Sequence, residues 1–227
     1  MNELLWILLA IINFLALIAT YKYFGLTGLL AWIAMNTVIA NIQVTKTIEL
    51  FGLTATLGNI AYGSIFLATD AISEKYNLKE AKKAVYIGFA SLIFFVVIMQ
   101  LVLLFGPQEG EVHEAMMVIF GLIPRIALGS LIAYAISQWF DVHMFSYMKA
   151  KNPDKKLYLR NIVTTSLSQF LDTIIFVPIA FLGVFDTAIV LDILITTYLI
   201  KLLVAAIDTP FIYWIKNIEP LNEKSGA

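Results

Sequence analysis

The sequence predicts an all-α, polytopic membrane protein of seven helices, and three observations lead there. Of 227 residues, 60% are apolar and 14% are charged, against about 25% charged in an ordinary soluble domain. Mean hydropathy is +0.86. The apolar residues also fall into seven runs near the ~20 residues that a helix rising 1.5 Å per residue needs to cross a hydrocarbon layer. The runs are continuous, whereas a strand of a membrane barrel alternates over about ten residues. The same composition weighs against a soluble enzyme, a secreted factor or a nucleic-acid binder, since a globule of this length could not hide so much apolar surface.

The expected spans are 4–21, 26–46, 53–73, 84–105, 116–140, 161–182 and 187–215. The first opens on Met1-Asn2-Glu3 without the basic start of a signal peptide, so it reads as a retained helix. Gly25, Gly52, Gly106-Pro107 and Gly183 punctuate the connections as helix stops and turns. Orientation follows from lysine and arginine. Lys75, Lys79, Lys82 and Lys83 share one loop, and Lys149, Lys151, Lys155, Lys156 and Arg160 another; Lys22, Lys216 and Lys224 fall on the same side. The opposite loops are acidic or neutral, with Lys46 the exception. This predicts a cell-membrane protein with its amino terminus outside and its carboxyl terminus in the cytoplasm.

Charge at membrane depth costs about 2.5–3.5 kcal/mol per group on insertion scales and so calls for a reason. Position along each span puts Gln169, Asp172 and Lys201 near the midplane, Asn36 at mid-depth and Asn41 further out. Arg125 sits in the outer third of the fifth span, Gln138 and Asp141 at its inner end, and Asp70 at the inner end of the third. One pattern repeats: Ser137-Gln138-Trp139-Phe140-Asp141 and Ser168-Gln169-Phe170-Leu171-Asp172. Residues three and four apart share a helix face. Each copy therefore aims a hydroxyl, an amide and a carboxylate one way, and together they suggest a polar wall between the fifth and sixth helices.

Plainer readings stand beside these. Serines in membrane helices bond back to their own carbonyls. Asp70, Asp141 and Asp208 near the surface serve as caps or partners for loop lysines, Asp172 and Lys201 neutralise one another, and Arg125 reaches the interface by snorkelling. With no cysteine and only His113 and His143, no metal site, thiol chemistry or cofactor is expected. No phosphate-binding G-x-x-x-x-G-K-[ST] loop and no hydrolase or metalloprotease motif occurs, so the chain is not expected to be an enzyme.

The segments Ala40-Asn41-Ile42-Gln43-Val44-Thr45-Lys46, Ala68-Thr69-Asp70-Ala71-Ile72-Ser73-Glu74, Ala133 to His143 and Ser168-Gln169-Phe170-Leu171-Asp172-Thr173 resemble the queuosine precursor transporter family, a YhhQ-type group also called vitamin uptake transporters. The resemblance runs over 26–215. It implies import of 7-cyano-7-deazaguanine and 7-aminomethyl-7-deazaguanine for queuosine synthesis or salvage. It also implies a six-helix core similar in fold to the substrate-binding subunits of ECF importers, here preceded by one extra helix. The organisation expected is an added helix at 1–25, the core at 26–217 and a cytoplasmic tail at 218–227.

The residue inventory suits such a base. A carboxylate accepts two parallel donors from a guanine edge, a role for Asp172 with Asp141 as substitute. Amides of Gln169, Gln138 or Asn36 complement a carbonyl beside a ring nitrogen, and Arg125 or Lys201 donates to a carbonyl or cyano group. Aromatic rings cover the faces of the base, with Phe170, Trp139, Phe176 and Tyr62 in reach. Asn41 and Asp70 complete the expected binding set. The partners expected are a small deazaguanine and the lipid bilayer, not nucleic acid, and a homo-oligomer is compatible with the sequence. Transport is expected to be facilitated or proton-linked; the alternative is the substrate-binding subunit of an ATP-driven importer for a vitamin or nucleobase.

Overall fold

The computed structural model describes residues 1–108, 110–151 and 157–221. In chain order it has α1 (Asn2–Gln43), β1 (Thr47–Leu50), β2 (Leu53–Thr56), α2 (Asn59–Lys75), α3 (Leu78–Leu103), α4 (Gly110–Phe120), α5 (Ile123–Lys151), α6 (Leu157–Phe181) and α7 (Thr187–Lys216). Among the described residues, four helical stretches are long and apolar enough to cross a membrane: α1, α3, 110–137 and 187–204. The protein is a predominantly helical membrane protein.

Helix α1 spans the first two expected crossings. Run straight, its 42 residues would extend about 63 Å. It breaks instead at Gly25, where φ is +53°, a conformation open chiefly to glycine. The Asn2 side-chain amide donates to the Glu49 carbonyl at 2.9 Å. The Phe51 amide donates to the Glu3 carboxylate at 3.4 Å. The start of α1 thus returns beside the segment that follows its end, and its two limbs are antiparallel. The return is tight: a Cβ on Gly28 would stand 2.7 Å from the Thr20 carbonyl oxygen.

The sequence reading carried helix to residue 46 and restarted it at 53. The structure corrects this with an antiparallel hairpin in which Thr47 faces Thr56 and Leu50 faces Leu53. Its two-residue turn, Phe51-Gly52, has φ of +52° and +79°, the double positive of a primed turn. Thr47, Ile48, Thr54 and Thr56 are β-branched and favour extended chain. The Thr196 hydroxyl of α7 donates to the Thr54 carbonyl at 2.8 Å, so the hairpin is bound to the helices rather than hanging free.

Contacts fix the helix directions. Only Tyr76 and Asn77 separate α2 from α3, and the Asn77 side chain caps α3 by accepting from the Glu80 amide. The two helices are therefore antiparallel. Phe95 meets Phe120 and Phe89 meets Tyr134; the opposite order of these pairs makes α3 antiparallel to α4 and α5. Helix α5 consequently runs in the same direction as α2. The expected span 116–140 is broken at Gly121-Leu122 and begins earlier, at Gly110.

Close packing at glycines brings the helices together. A Cβ on Gly63 of α2 would meet a Val204 methyl of α7 at 2.3 Å, and one on Gly129 of α5 would meet Ile179 of α6 at 3.2 Å. One buried cluster joins Trp6, Phe14, Leu17 and Tyr21 of the first limb to Leu67 and Ile72 of α2 and Val204 of α7. A second joins Val44 to Ile126, Phe176, Phe181 and Ile193. Leu4, Leu8, Phe94, Val97 and Leu101 remain exposed, as expected of surfaces solvated by lipid.

Candidate functional site

A chamber of about 640 Å³ lies among α1, α2, α3, α5, α6 and α7. Helix α2 gives it one stripe: Asn59, Tyr62, Phe66, Thr69, Asp70 and Ser73. Their spacing is that of a single helix face, and it follows the helix for about 21 Å. The two ends differ. At the Asn59 end, Thr37, Val44, Asn59 and Thr197 are buried. At the other end Asp70, Ser73, Leu78 and Lys82 are exposed. The chamber thus opens on the lysine-rich side and is closed beneath the hairpin.

A charged pair occupies the wall. Lys201 of α7 donates to Oδ2 of Asp172 on α6, and both side chains are largely enclosed, at 13% and 20% exposure. The Ser137 hydroxyl of α5 donates to Oδ1 of Asp172 at 3.3 Å. The repeated Ser-Gln-x-x-Asp pattern therefore meets itself, the serine of one copy bonding the aspartate of the other. Higher in the chamber, the Tyr62 and Ser130 hydroxyls are 3.2 Å apart. The buried Thr197 hydroxyl has no hydrogen-bond partner among the described residues, and it lines the chamber. Aromatic walls complete the site: Phe89 and Tyr134 pack edge to face with centroids 4.9 Å apart, and Phe66 and Phe176 join them.

Of the ten residues expected at a binding site, Asp172, Lys201 and Asp70 come together in this chamber. Five stand outside its lining. Arg125 donates to the carbonyls of Ile179 and Leu182, each at 2.5 Å; the last carbonyls of a helix lack internal partners and attract cations, so it caps the end of α6. Asn36 and Asn41 bond back to the carbonyls of Trp32 and Thr37 on their own helix. Gln169 has a buried Oε1 without a partner among the described residues. Phe170 is 43% exposed and packs on the edge of Tyr198. The side chains of Gln138, Asp141 and Asp208 lie outside the described residues.

Tyr62 and Phe176, expected as covers for a base, line the chamber, as do Thr37, Ser130, Tyr134 and Thr197, which sequence reasoning passed over as binding groups. Tyr134 and Ser130 carried a usable signal, since they sit three and seven residues before Ser137 on the same helical face. Thr37 and Thr197 carried none.

Apolar helices around a one-sided chamber, with an ion pair and hydroxyls inside, have the layout of a membrane transporter. Comparison with known proteins makes this specific. A family model described as "Putative vitamin uptake transporter" matches residues 56–215, and the chain belongs to that vitamin uptake transporter family. It is 48% identical over 227 residues, 99% of both chains, to a Bacillus subtilis protein named "Probable queuosine precursor transporter". That alignment takes in the first limb of α1. It is 25% identical over 162 residues, 71% of each chain, to the Escherichia coli "Queuosine precursor transporter". A Haemophilus influenzae protein named "Probable queuosine precursor transporter" is 27% identical over 132 residues, 58% of this chain and 54% of the relative. No solved structure matches. The protein is a transporter of the membrane, not an enzyme.

Proposed function

We propose that the chain imports a queuosine precursor, 7-cyano-7-deazaguanine or 7-aminomethyl-7-deazaguanine, through this chamber. The observation that carries the reading is the Asp172–Lys201 pair inside a chamber of about 640 Å³ walled by Tyr62, Phe89, Tyr134 and Phe176. The volume lies within the range of about 300–1,000 Å³ usual for small-ligand sites. The Asp172 carboxylate accepts the paired donors of the guanine edge, and Lys201 donates to the adjacent carbonyl. Ser130, Tyr62 and Thr197 supply further hydroxyls, and the rings cover the flat faces. Leaving any of these buried groups unmatched is costly, which selects against bases with another rim.

Seven crossings fit the element order: the two limbs of α1, then α2, α3, α4 with α5, α6 and α7. The basic connections then face the cytoplasm, the amino terminus faces outside, and the chamber opens inward in the cell membrane. The core at 26–217 takes an arrangement like that of ECF substrate-binding subunits, with 1–25 added in front and the tail from 218 inside. Transport is facilitated or proton-linked by the chain alone.

The test is uptake of a radiolabelled deazaguanine into liposomes holding only this purified protein. Saturable uptake is expected, and it should be lost in Asp172→Asn with the protein still folded. Uptake that requires an added ATPase would turn the reading into the binding-subunit alternative.

A further inference from the structure

We propose that Asp70 is the counterion for a positively charged arm on the transported base, so that this chain prefers an aminomethyl to a cyano substituent. The inference rests on the deazaguanine reading above and adds which member of that class the site selects.

Two aspartates line the chamber, and they are in different states. Both oxygens of Asp172 are engaged, one by Lys201 and one by Ser137. Asp70 forms no hydrogen bond or ion pair among the described residues. The neighbouring Thr69 offers it nothing, because its hydroxyl donates to the Ile65 carbonyl at 2.9 Å. Lys82 also lines the chamber, but it is exposed at the mouth and does not pair with Asp70.

The depth of Asp70 follows from helix register. Helix α7 touches the hairpin at Thr196 and packs Val204 on Gly63 of α2, so the two helices run in the same direction and Lys201, one turn before Val204, lies towards the closed end. Asp172, held by Lys201, is enclosed with it. Asp70 stands seven residues beyond Gly63, about 10 Å nearer the mouth, where it is exposed. A base whose guanine edge meets Asp172 thus directs a substituent from its far side towards the mouth and Asp70.

An ammonium on that substituent supplies both the charge and the hydrogen-bond donors that an unpaired carboxylate lacks, and charge-assisted bonds are the stronger kind. A cyano group carries neither a proton nor a positive charge, and it gains nothing from Asp70. The carboxylate thereby separates two ligands that present the same edge to Asp172.

The test measures binding of 7-aminomethyl-7-deazaguanine and 7-cyano-7-deazaguanine to the detergent-solubilised full chain by calorimetry, for the wild type and Asp70→Asn. The wild type should bind the aminomethyl base about tenfold more tightly, the usual worth of one partly solvated charge-assisted bond. Asp70→Asn should remove that preference by weakening the aminomethyl base alone. Equal binding of the two bases by the wild type, or a variant that weakens both alike, overturns the role of Asp70 and leaves the deazaguanine reading in place. Binding of neither base by folded wild type overturns both. Should Asp70→Asn fail to fold, the wild-type ratio and Asp70→Glu decide: the preference must be present in the first and kept in the second.

Discussion

Replacing Lys201 with methionine isolates the energetics of the chamber wall. The substitution keeps the aliphatic stem and removes the charge, leaving Asp172 with Ser137 as its donor. Stranding one partner of a buried ion pair costs about 3–5 kcal/mol, because the remaining charge is uncompensated. At 13% and 20% exposure the pair keeps some access to water, which places the expectation near the lower end, about 3 kcal/mol. For a chain of this size each kcal/mol shifts the melting temperature by about 2–4 °C, so a fall of about 6–12 °C is expected. The assay is a thermal melt of the detergent-solubilised protein for Lys201→Met, Asp172→Asn and the double variant. The double variant carries no stranded charge, so it should be more stable than Lys201→Met by about 1–2 kcal/mol. A Lys201→Met melt within about 2 °C of wild type, or effects that simply add, would refute the pairing.

Two further outcomes are expected. Arg125→Gln removes the bonds to the Ile179 and Leu182 carbonyls and should cost about 2 kcal/mol of stability, read as a lower melting temperature, while deazaguanine affinity stays within about twofold; lost affinity in a variant of normal stability would put Arg125 at the ligand instead. Single cysteines at Glu111 and Lys79 should react with a membrane-impermeant maleimide from outside and from inside respectively, and the reverse pattern would invert the proposed orientation.

Much of the helical plan is legible in the sequence because a membrane helix announces itself by continuous apolar length, a signal that needs no knowledge of neighbours. The hairpin is not, because Leu53-Thr54-Ala55-Thr56 runs unbroken in hydropathy into the apolar residues of α2. The competing signal was there: two runs of four, each with two β-branched residues, separated by two residues ending in glycine. Lys201 and Asp172 stand out by being charged at mid-depth, whereas Thr37 and Thr197 do not, since threonine is unremarkable in a membrane helix. Arg125 illustrates the limit in the other direction. Its depth suggested a ligand contact, but the free carbonyls it meets arise only from where α6 ends.

The bonds from Asn2 and Glu3 to the hairpin give the amino-terminal limb a second duty beyond filling its flank. It works as a strap buckled across the hairpin turn, fastening the first residues of the chain to the roof of the chamber. Trimming the chain up to Phe24 would therefore unbuckle that roof as well as bare a greasy flank, and any rearrangement that lifted the roof would have to carry the strap along or let it go.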